Sequence, residues 1–429
     1  MTRRLLQILG TGAALLLPLG QPAAAETMAS AVQRSLDTHP ELAAFDLDRL
    51  AIKSGIDIAE GQRKPKISLS AQAGARGDGE YGSDTKGFSL SASQTLYDAG
   101  EGRSLVRRSR AESFAADSRY RDALIEIGLK AVQAYIEVQR TGRLVRVVKA
   151  NLAALSAIHQ RVKLRVDGGF GSRADIYQAR SRLEAAREQI ETAKQQYTDA
   201  IADFAAITGT SPGKLETLGT PSRALPDSVE EAVRLSRRHS PRILAARYDA
   251  LAADAMRSAA ESLLAPRLNL RLGMDYDAEV EGFSTGNESA TATLSLKVDL
   301  YDGGTRRARI SQARYSARAS VQTELATVRD VELEMRRAWN AIRASLGRMG
   351  PLERRAADAG KSLKLNLSRF KAGVATLDTI LALQDEASAS QVAALNENAA
   401  YRYNVFRVLG ATGRLFPALG IEPHAEAAR

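Results

Sequence analysis

Not one cysteine occurs in the 429 residues, which excludes disulfides, thiolate metal sites and a lipid-modified cysteine. Histidine is scarce, and His39, His159, His239 and His424 stand too far apart to suggest a ligand pair. With one tryptophan and nine phenylalanines against abundant alanine, arginine and glutamate, the chain is poorly supplied for a thick core. It suits long helices packed through small side chains. Beyond residue 25 no apolar run approaches the ~18 residues of a spanning helix, so any membrane role falls to β-strands. Residues 66–211 contain no proline, and nothing there interrupts a long helix. The chemistry of an enzyme is missing too: no phosphate loop, no metal cluster, no nucleophile with a base partner. Gly169-Phe170-Gly171-Ser172-Arg173-Ala174 superficially fits a dinucleotide fingerprint, but it follows a helical stretch rather than a strand and is rejected. We therefore expect no catalytic residue, no cofactor and no metal.

The N-terminus has a positive start (Arg3, Arg4), an apolar stretch from Leu5 to Leu19 and a small-residue site at Ala23-Ala24-Ala25. Residues 1–25 read as a secretory signal peptide, with mature chain from about Glu26 and a periplasmic destination. The stretch is too short for an uncleaved anchor. The net charge of +10 falls to +8 once Arg3 and Arg4 leave. In a secreted chain that excess points to solvated helix faces, anionic head groups or cargo rather than nucleic acid.

The chain is duplicated. Ala31-Val32 answers Ala232-Val233, Pro40 answers Pro241 and Pro65 answers Pro266, each displaced by 201 positions. Leu96-Tyr97-Asp98 answers Leu300-Tyr301-Asp302, Gly100 answers Gly304, Gly169 answers Gly373 and Thr208-Gly209 answers Thr412-Gly413, all displaced by 204. One three-residue length change explains every offset. Residues 26–227 form a first repeat, 228–413 a second, and 414–429 a C-terminal tail.

Each repeat has one plan. A helical stretch runs from about Met28 to Gln62, with Leu36, Leu42, Leu47, Leu50 and Ile56 at helical spacing, and ends before Pro65. The period then changes to two. Ile67, Leu69, Ala71 and Ala73 alternate with Ser68, Ser70 and Gln72; after a Gly/Asp-rich turn over Gly77–Asp84, Phe88, Leu90 and Ala92 alternate with serines. The second hairpin has Leu268, Leu270, Leu272 and Met274, a turn around Gly282–Asn287, then Ala292, Leu294, Leu296, Val298 and Leu300. Such strands of about ten residues suit a tilted crossing of hydrocarbon. Helices of on the order of 100 Å follow, from Gly102 to Val166 and from Arg306 to Lys371. Gly168-Gly169 and Gly373 break them, and shorter helices run from Arg173 to Ile207 and on to Leu409. Pro351, behind Gly350, is expected to kink the second long helix.

Four strands cannot close a barrel, and an open edge in lipid leaves backbone groups unpaired at several kcal/mol each. Three chains supply twelve strands, an even count compatible with closure. The expected fold class is therefore mainly α with a membrane β-hairpin section: a trimeric 12-stranded β-barrel, four strands per chain, continuous with a long α-helical periplasmic barrel; the alternative is a soluble sandwich packed on the helices.

Several motifs now stand together: Ala31 to Leu42 with its His-Pro-Glu-Leu, Pro65 before a strand, Leu-Tyr-Asp-Ala-Gly at 96–100, Leu-Tyr-Asp-Gly-Gly at 300–304, and the glycine tips at Gly169 and Gly373. In this order, and twice, they resemble the TolC-like outer-membrane efflux proteins over essentially the whole mature length. The resemblance implies a homotrimer in the outer membrane, in contact with its lipid and extending into the periplasm. It implies a passive exit duct for type I protein secretion or small-molecule efflux, served by an inner-membrane pump (an ABC transporter or a proton-driven one) and a periplasmic adaptor. The competing expectation is a periplasmic coiled-coil adaptor without its own pore.

Asp98 and Gly100, and Asp302, Gly303 and Gly304, are expected to make strand-to-helix turns, structural rather than catalytic, where glycine permits a left-handed backbone. Gly169, Asp175, Gly373 and Asp378 are candidates for the periplasmic tip and gate; the alternative for each carboxylate is a helix-start charge favoured by the dipole. Asp175, six residues after Gly169, matches a position of the family's entrance network. In the second repeat the acidic positions of that network hold Thr379 and Ala382, and Ala375 stands where a gating arginine can occur, so the usual latch is not expected. Arg103, Arg107, Arg108, Arg110, Arg306, Arg307 and Arg309 follow the hairpins and suit anionic lipid heads, the lumen or salt bridges between helices.

Overall fold

A computed structural model describes residues 25–78, 81–216, 219–280 and 287–422, so residues 1–24 of the expected signal peptide lie outside the described residues. Each repeat opens with two helices: α1 (Met28–Thr38) and α2 (Pro40–Gly61), then, in the second, α5 (Val229–His239) and α6 (Pro241–Glu261). The single stretch expected from Met28 to Gln62 is thus broken. Crowding by a proline ring pushes the residue before it out of the helical region, and His39 is extended at φ −72°, ψ 122°. Pro40 then takes the first position of α2, where a missing N–H costs nothing. Ser240 and Pro241 repeat the break.

Four strands follow from the period-two segments: β1 (Lys66–Asp78), β2 (Tyr81–Tyr97), β3 (Arg267–Val280) and β4 (Asn287–Lys297). They form one antiparallel sheet in the order β1-β2-β3-β4, the two hairpins joined through β2 and β3. The first three are longer than expected, at 13, 17 and 14 residues. Most of the turn expected over Gly77–Asp84 is ladder, with Gly77 opposite Gly82 and Asp78 opposite Tyr81; Gly79 and Glu80 lie outside the described residues. Near a membrane rim the backbone still needs partners after the side chains no longer need to be apolar. In the second turn, 282–286 also lie outside the described residues, and Asn287 opens β4. β4 stops early. Val298 and Leu300 continue its alternation, but β3 begins at Arg267, behind a proline that has no N–H to offer.

The long helices α3 (Glu101–Asp167) and α7 (Thr305–Lys371) have 67 residues each, on the order of 100 Å. α7 continues through Pro351 without ending. α4 (Arg173–Thr208) returns along α3, α8 (Leu377–Ala411) returns along α7, and α9 (Leu415–Leu419) packs on α8. α6 lies between α3 and α7, whereas α2 packs chiefly on α3. The largest core lies partway along the long helices, where α1 and α5 pack against them; it buries Met28, Val32, Tyr135, Phe204, Met335, Val405 and Leu409. There the Tyr135 hydroxyl lies 2.8 and 2.7 Å from the carbonyl oxygens of Glu26 and Glu216, and burial pushes its pKa up to about 12. Towards the far end smaller clusters mix alanine with larger side chains, Ala179 and Ala186 with Leu155, Ile158, Leu183 and Ile380, and Ala193 with Leu144, Val148 and Ile190.

Candidate functional site

The register sorts the sheet into two unlike faces. Ile67, Ala92, Leu272 and Ala292 form one row across all four strands, and Leu69, Leu90, Met274 and Ala290 the next. Between them, on the opposite face, run Ser68, Ser91, Gly273 and Thr291, then Ser70, Ser89, Asp275 and Ser289. The polar face satisfies itself: the Ser68 and Ser91 hydroxyls are 2.8 Å apart, and Ser89 donates to Asp275 at 2.6 Å. The apolar face is bare, with Ile67, Leu69 and Leu296 74, 72 and 66% exposed. A continuous apolar ladder of this kind belongs against hydrocarbon, and its opposite face against water. β1 and β4 each keep one unpaired edge within the chain.

The turns that carry strand into helix are built by carboxylates. Asp98 accepts from the N–H of Gly100 at 2.9 Å and of Gly102 at 2.7 Å. Asp302 accepts from the N–H of Gly304 at 3.2 Å and of Arg306 at 2.9 Å, and from Arg306 Nε at 3.0 Å. The Arg306 backbone N–H, then its guanidinium, hold the Asp302 carboxyl below the usual range. Gly100, Gly303 and Gly304 sit at φ +89°, +69° and +87°. Ala99, where the second repeat has Gly303, is forced to φ +52°. Sequence reading missed Gly102, whose added Cβ would stand 2.8 Å from the Asp98 carboxylate; the second repeat has Arg306 there, so the repeat carries no glycine signal. Of the arginines around the turns, Arg108 pairs with Glu112, Arg110 with Glu60 and Arg306 with Asp302.

At the far end the two repeats meet. Asp175, Asp378, Gly171, Gly373, Ala375 and Thr376 line one cleft of about 340 Å³. Gly169, at φ +80°, makes the turn beside it. Asp175 completes a capping box at the start of α4: the Ser172 N–H donates to its Oδ2 at 3.0 Å, and the Ala174 N–H donates to Ser172 Oγ at 3.1 Å. Asp378, in the first turn of α8, accepts from Gln178 Nε2 across the cleft. Thr379 donates its N–H to the Thr376 hydroxyl at 3.3 Å and so serves the cap of α8, while Ala382 faces outward. Arg165 lies 5.0 Å over the Phe370 ring and donates to the Phe370 carbonyl at 3.4 Å. Gln178 and Arg165 tie the two tips together. Neither has a motif of its own; only the pairing of α4 with α8 reveals them. Among the described residues no cluster of metal-ligating side chains occurs.

Comparison with known proteins adds the remaining element. The family model described as "Outer membrane efflux protein" matches residues 31–210 and again 232–414, one match for each repeat. The chain is 24% identical over 400 residues to the outer membrane efflux protein BepC of Brucella suis, covering 92% of this chain and 87% of that one. It is 26% identical over 393 residues to the outer membrane protein TolC of Vibrio cholerae, covering 85 and 88%. The solved outer membrane channel CmeC of Campylobacter jejuni shares the fold with a TM-score of 0.82 at 15% identity, over 94% of this chain and 87% of that one. A bare apolar sheet continuous with helices of on the order of 100 Å, built twice in one chain, accords with that match. The chain belongs to the outer membrane efflux protein family, a family of outer-membrane export channels rather than enzymes.

Proposed function

We propose that three copies assemble into the exit duct of a tripartite export system, a passive conduit for type I protein secretion or small-molecule efflux. The carrying observation is the four-stranded sheet with an uncovered apolar face and two unpaired edges. Three such sheets joined β4 to β1 give twelve strands without an edge, the apolar rows against outer-membrane lipid and the polar rows around water. The helices follow the same rule. Residues 26–227 and 228–413 act as structural repeats around a helical tunnel, with 414–429 as a tail and 1–25 as the removed leader. An inner-membrane pump, of the ABC or proton-driven class, supplies the energy and a periplasmic adaptor joins it to the tips.

The tip cleft serves as the inner mouth. Asp378–Gln178 joins α8 to α4 and Arg165–Phe370 joins the end of α3 to the end of α7 there, and Asp175 fixes the start of α4. A water-borne adaptor without a pore has no use for a bare ladder of Ile67, Leu69 and Leu296, and it would leave outer membranes without detergent.

Purified trimer in a planar bilayer tests the reading. Discrete conductance that rises in Asp175→Ala and Asp378→Ala is the expected result. No conductance from either the native protein or the loosened variants would overturn it.

A further inference from the structure

We propose that the barrel carries an anion filter at its helical end: Lys66 and Arg271 form a cationic band around the lumen there, and the cargo carries net negative charge. This rests on the channel reading above. Lys66, Ser93, Arg271 and Thr293 make one row across the four strands, on the polar face that lines the lumen. Both cations are exposed, and among the described residues neither has a carboxylate partner. Two rows nearer the helices, Arg267 and Lys297 stand opposite each other, each with an anion beside it: Glu101 for Arg267, and Asp299 at 3.8 Å from Lys297. By register Asp275, Asp277 and Glu279 fall on this face of β3, on the side of the band away from the helices, and Asp275 is the nearest. It lies four residues along β3 from Arg271, about 13 Å at ~3.3 Å per residue, which exceeds the ~8 Å screening length of physiological salt. Each copy therefore places two cations without an ion-pair partner in the band, and a trimer six.

Size and side-chain length make that band felt. Twelve strands ~4.8 Å apart and tilted ~40° enclose about 24 Å across the backbone. The other described side chains of the rows from Lys66 to Ser70 are Ser, Thr, Gly and one Asp, all short. Lys66 and Arg271 consequently reach furthest into the lumen, and little of its cross-section lies beyond a screening length from one of them. Low-dielectric walls concentrate such a field and enrich counter-ions within it. An anionic small molecule, carrying carboxylate or phosphate, gains from entering; a cation is repelled. The band lies at the opposite end of the chain from the carboxylates of the tip, so the two can be tested apart.

Single trimers in planar bilayers under a KCl gradient provide the test, with inorganic tripolyphosphate added on the barrel side. The native channel is expected to pass chloride over potassium by roughly threefold or more, and to be blocked by millimolar tripolyphosphate. Lys66→Ser with Arg271→Ser should bring the ratio towards one and abolish the block, and Lys66→Glu with Arg271→Glu should reverse the preference. In 1 M KCl, where screening falls to ~3 Å, native and serine variants should conduct alike, which shows that the variants fold and insert. Conductance that prefers potassium, or a chloride preference and tripolyphosphate block unchanged in the double variants, overturns the filter while leaving the channel standing. No conductance from the native protein overturns both.

Discussion

α3 and α7 are repeat counterparts of 67 residues, each entered from a left-handed glycine, yet α3 buries 23 residues and α7 only nine. The residues they bury alike are informative first. Ala131, Ala134, Val138 and Thr141 on α3 answer Met335, Ala338, Ile342 and Ser345 on α7, all buried, and all at the shared core partway along the helices. The difference lies on one flank. α3 receives α6 there, with Phe114 stacked on Tyr248 at 5.2 Å and Arg119 on Asp249 at 2.6 Å. Carried by the repeat offsets, those contacts map to Arg318, Leu47, Thr323 and Asp48. Ala111, buried on α3, maps to Tyr315, which is 68% exposed, and Leu47 on α2 is 67% exposed. An inner helix and an edge helix of the same sequence plan differ because one has its neighbour in the chain and the other awaits it from the next copy.

The largest expected effect is on that flank. Tyr315→Glu or Leu47→Glu places an unpaired carboxylate in the joint at a cost of several kcal/mol per copy, so trimer should disappear from size-exclusion profiles in detergent. If the flank of α7 is merely solvated, either change stays within ~0.5 kcal/mol and the trimer survives. Next, Ile127→Ala on α3, at 1% exposure, should lower stability by about 2–4 kcal/mol in denaturant titrations, before assembly is considered, whereas Tyr315→Ala should act on assembly alone.

The turns before the two helices give a smaller contrast. Gly303→Ala, at φ +69°, should cost about 1 kcal/mol, and Ala99→Gly should gain a similar amount by relieving φ +52°. A denaturation midpoint that moves the other way for either would contradict the assignment of strain to Ala99. The smallest effect separates Tyr135 from its counterpart Trp339, which does not titrate. The folded state holds the Tyr135 hydroxyl protonated, so its contribution is intact below pH 10 and is lost as pH rises towards about 12. Tyr135→Phe should cost about 1 kcal/mol at neutral pH and flatten the alkaline decline.

Sequence reading found what depends on local pattern. The ends of α3 fall at Glu101 and Asp167, one residue beyond the expected Gly102 and Val166, because glycines punctuate both ends. The hairpins, their alternation and the offsets of the repeat were equally legible. The break at His39 was not, because Leu36, Leu42 and Leu47 keep a helical spacing across Pro40. The end of β4 was hidden for a different reason: Val298 and Leu300 alternate well, and only the start of β3 at Arg267 denies them a partner. The shared cleft of Asp175 and Asp378 was invisible as well. It follows from α4 and α8 meeting across 200 residues of sequence, which neither glycine motif encodes.

Native mass spectrometry of protein extracted from outer membranes tests most directly whether sister chains complete the open edges. A mass three times that of the processed chain, released only by detergent, is the predicted result. A single chain that remains in solution without detergent, its α7 flank and its β1 and β4 edges uncovered, would contradict the account.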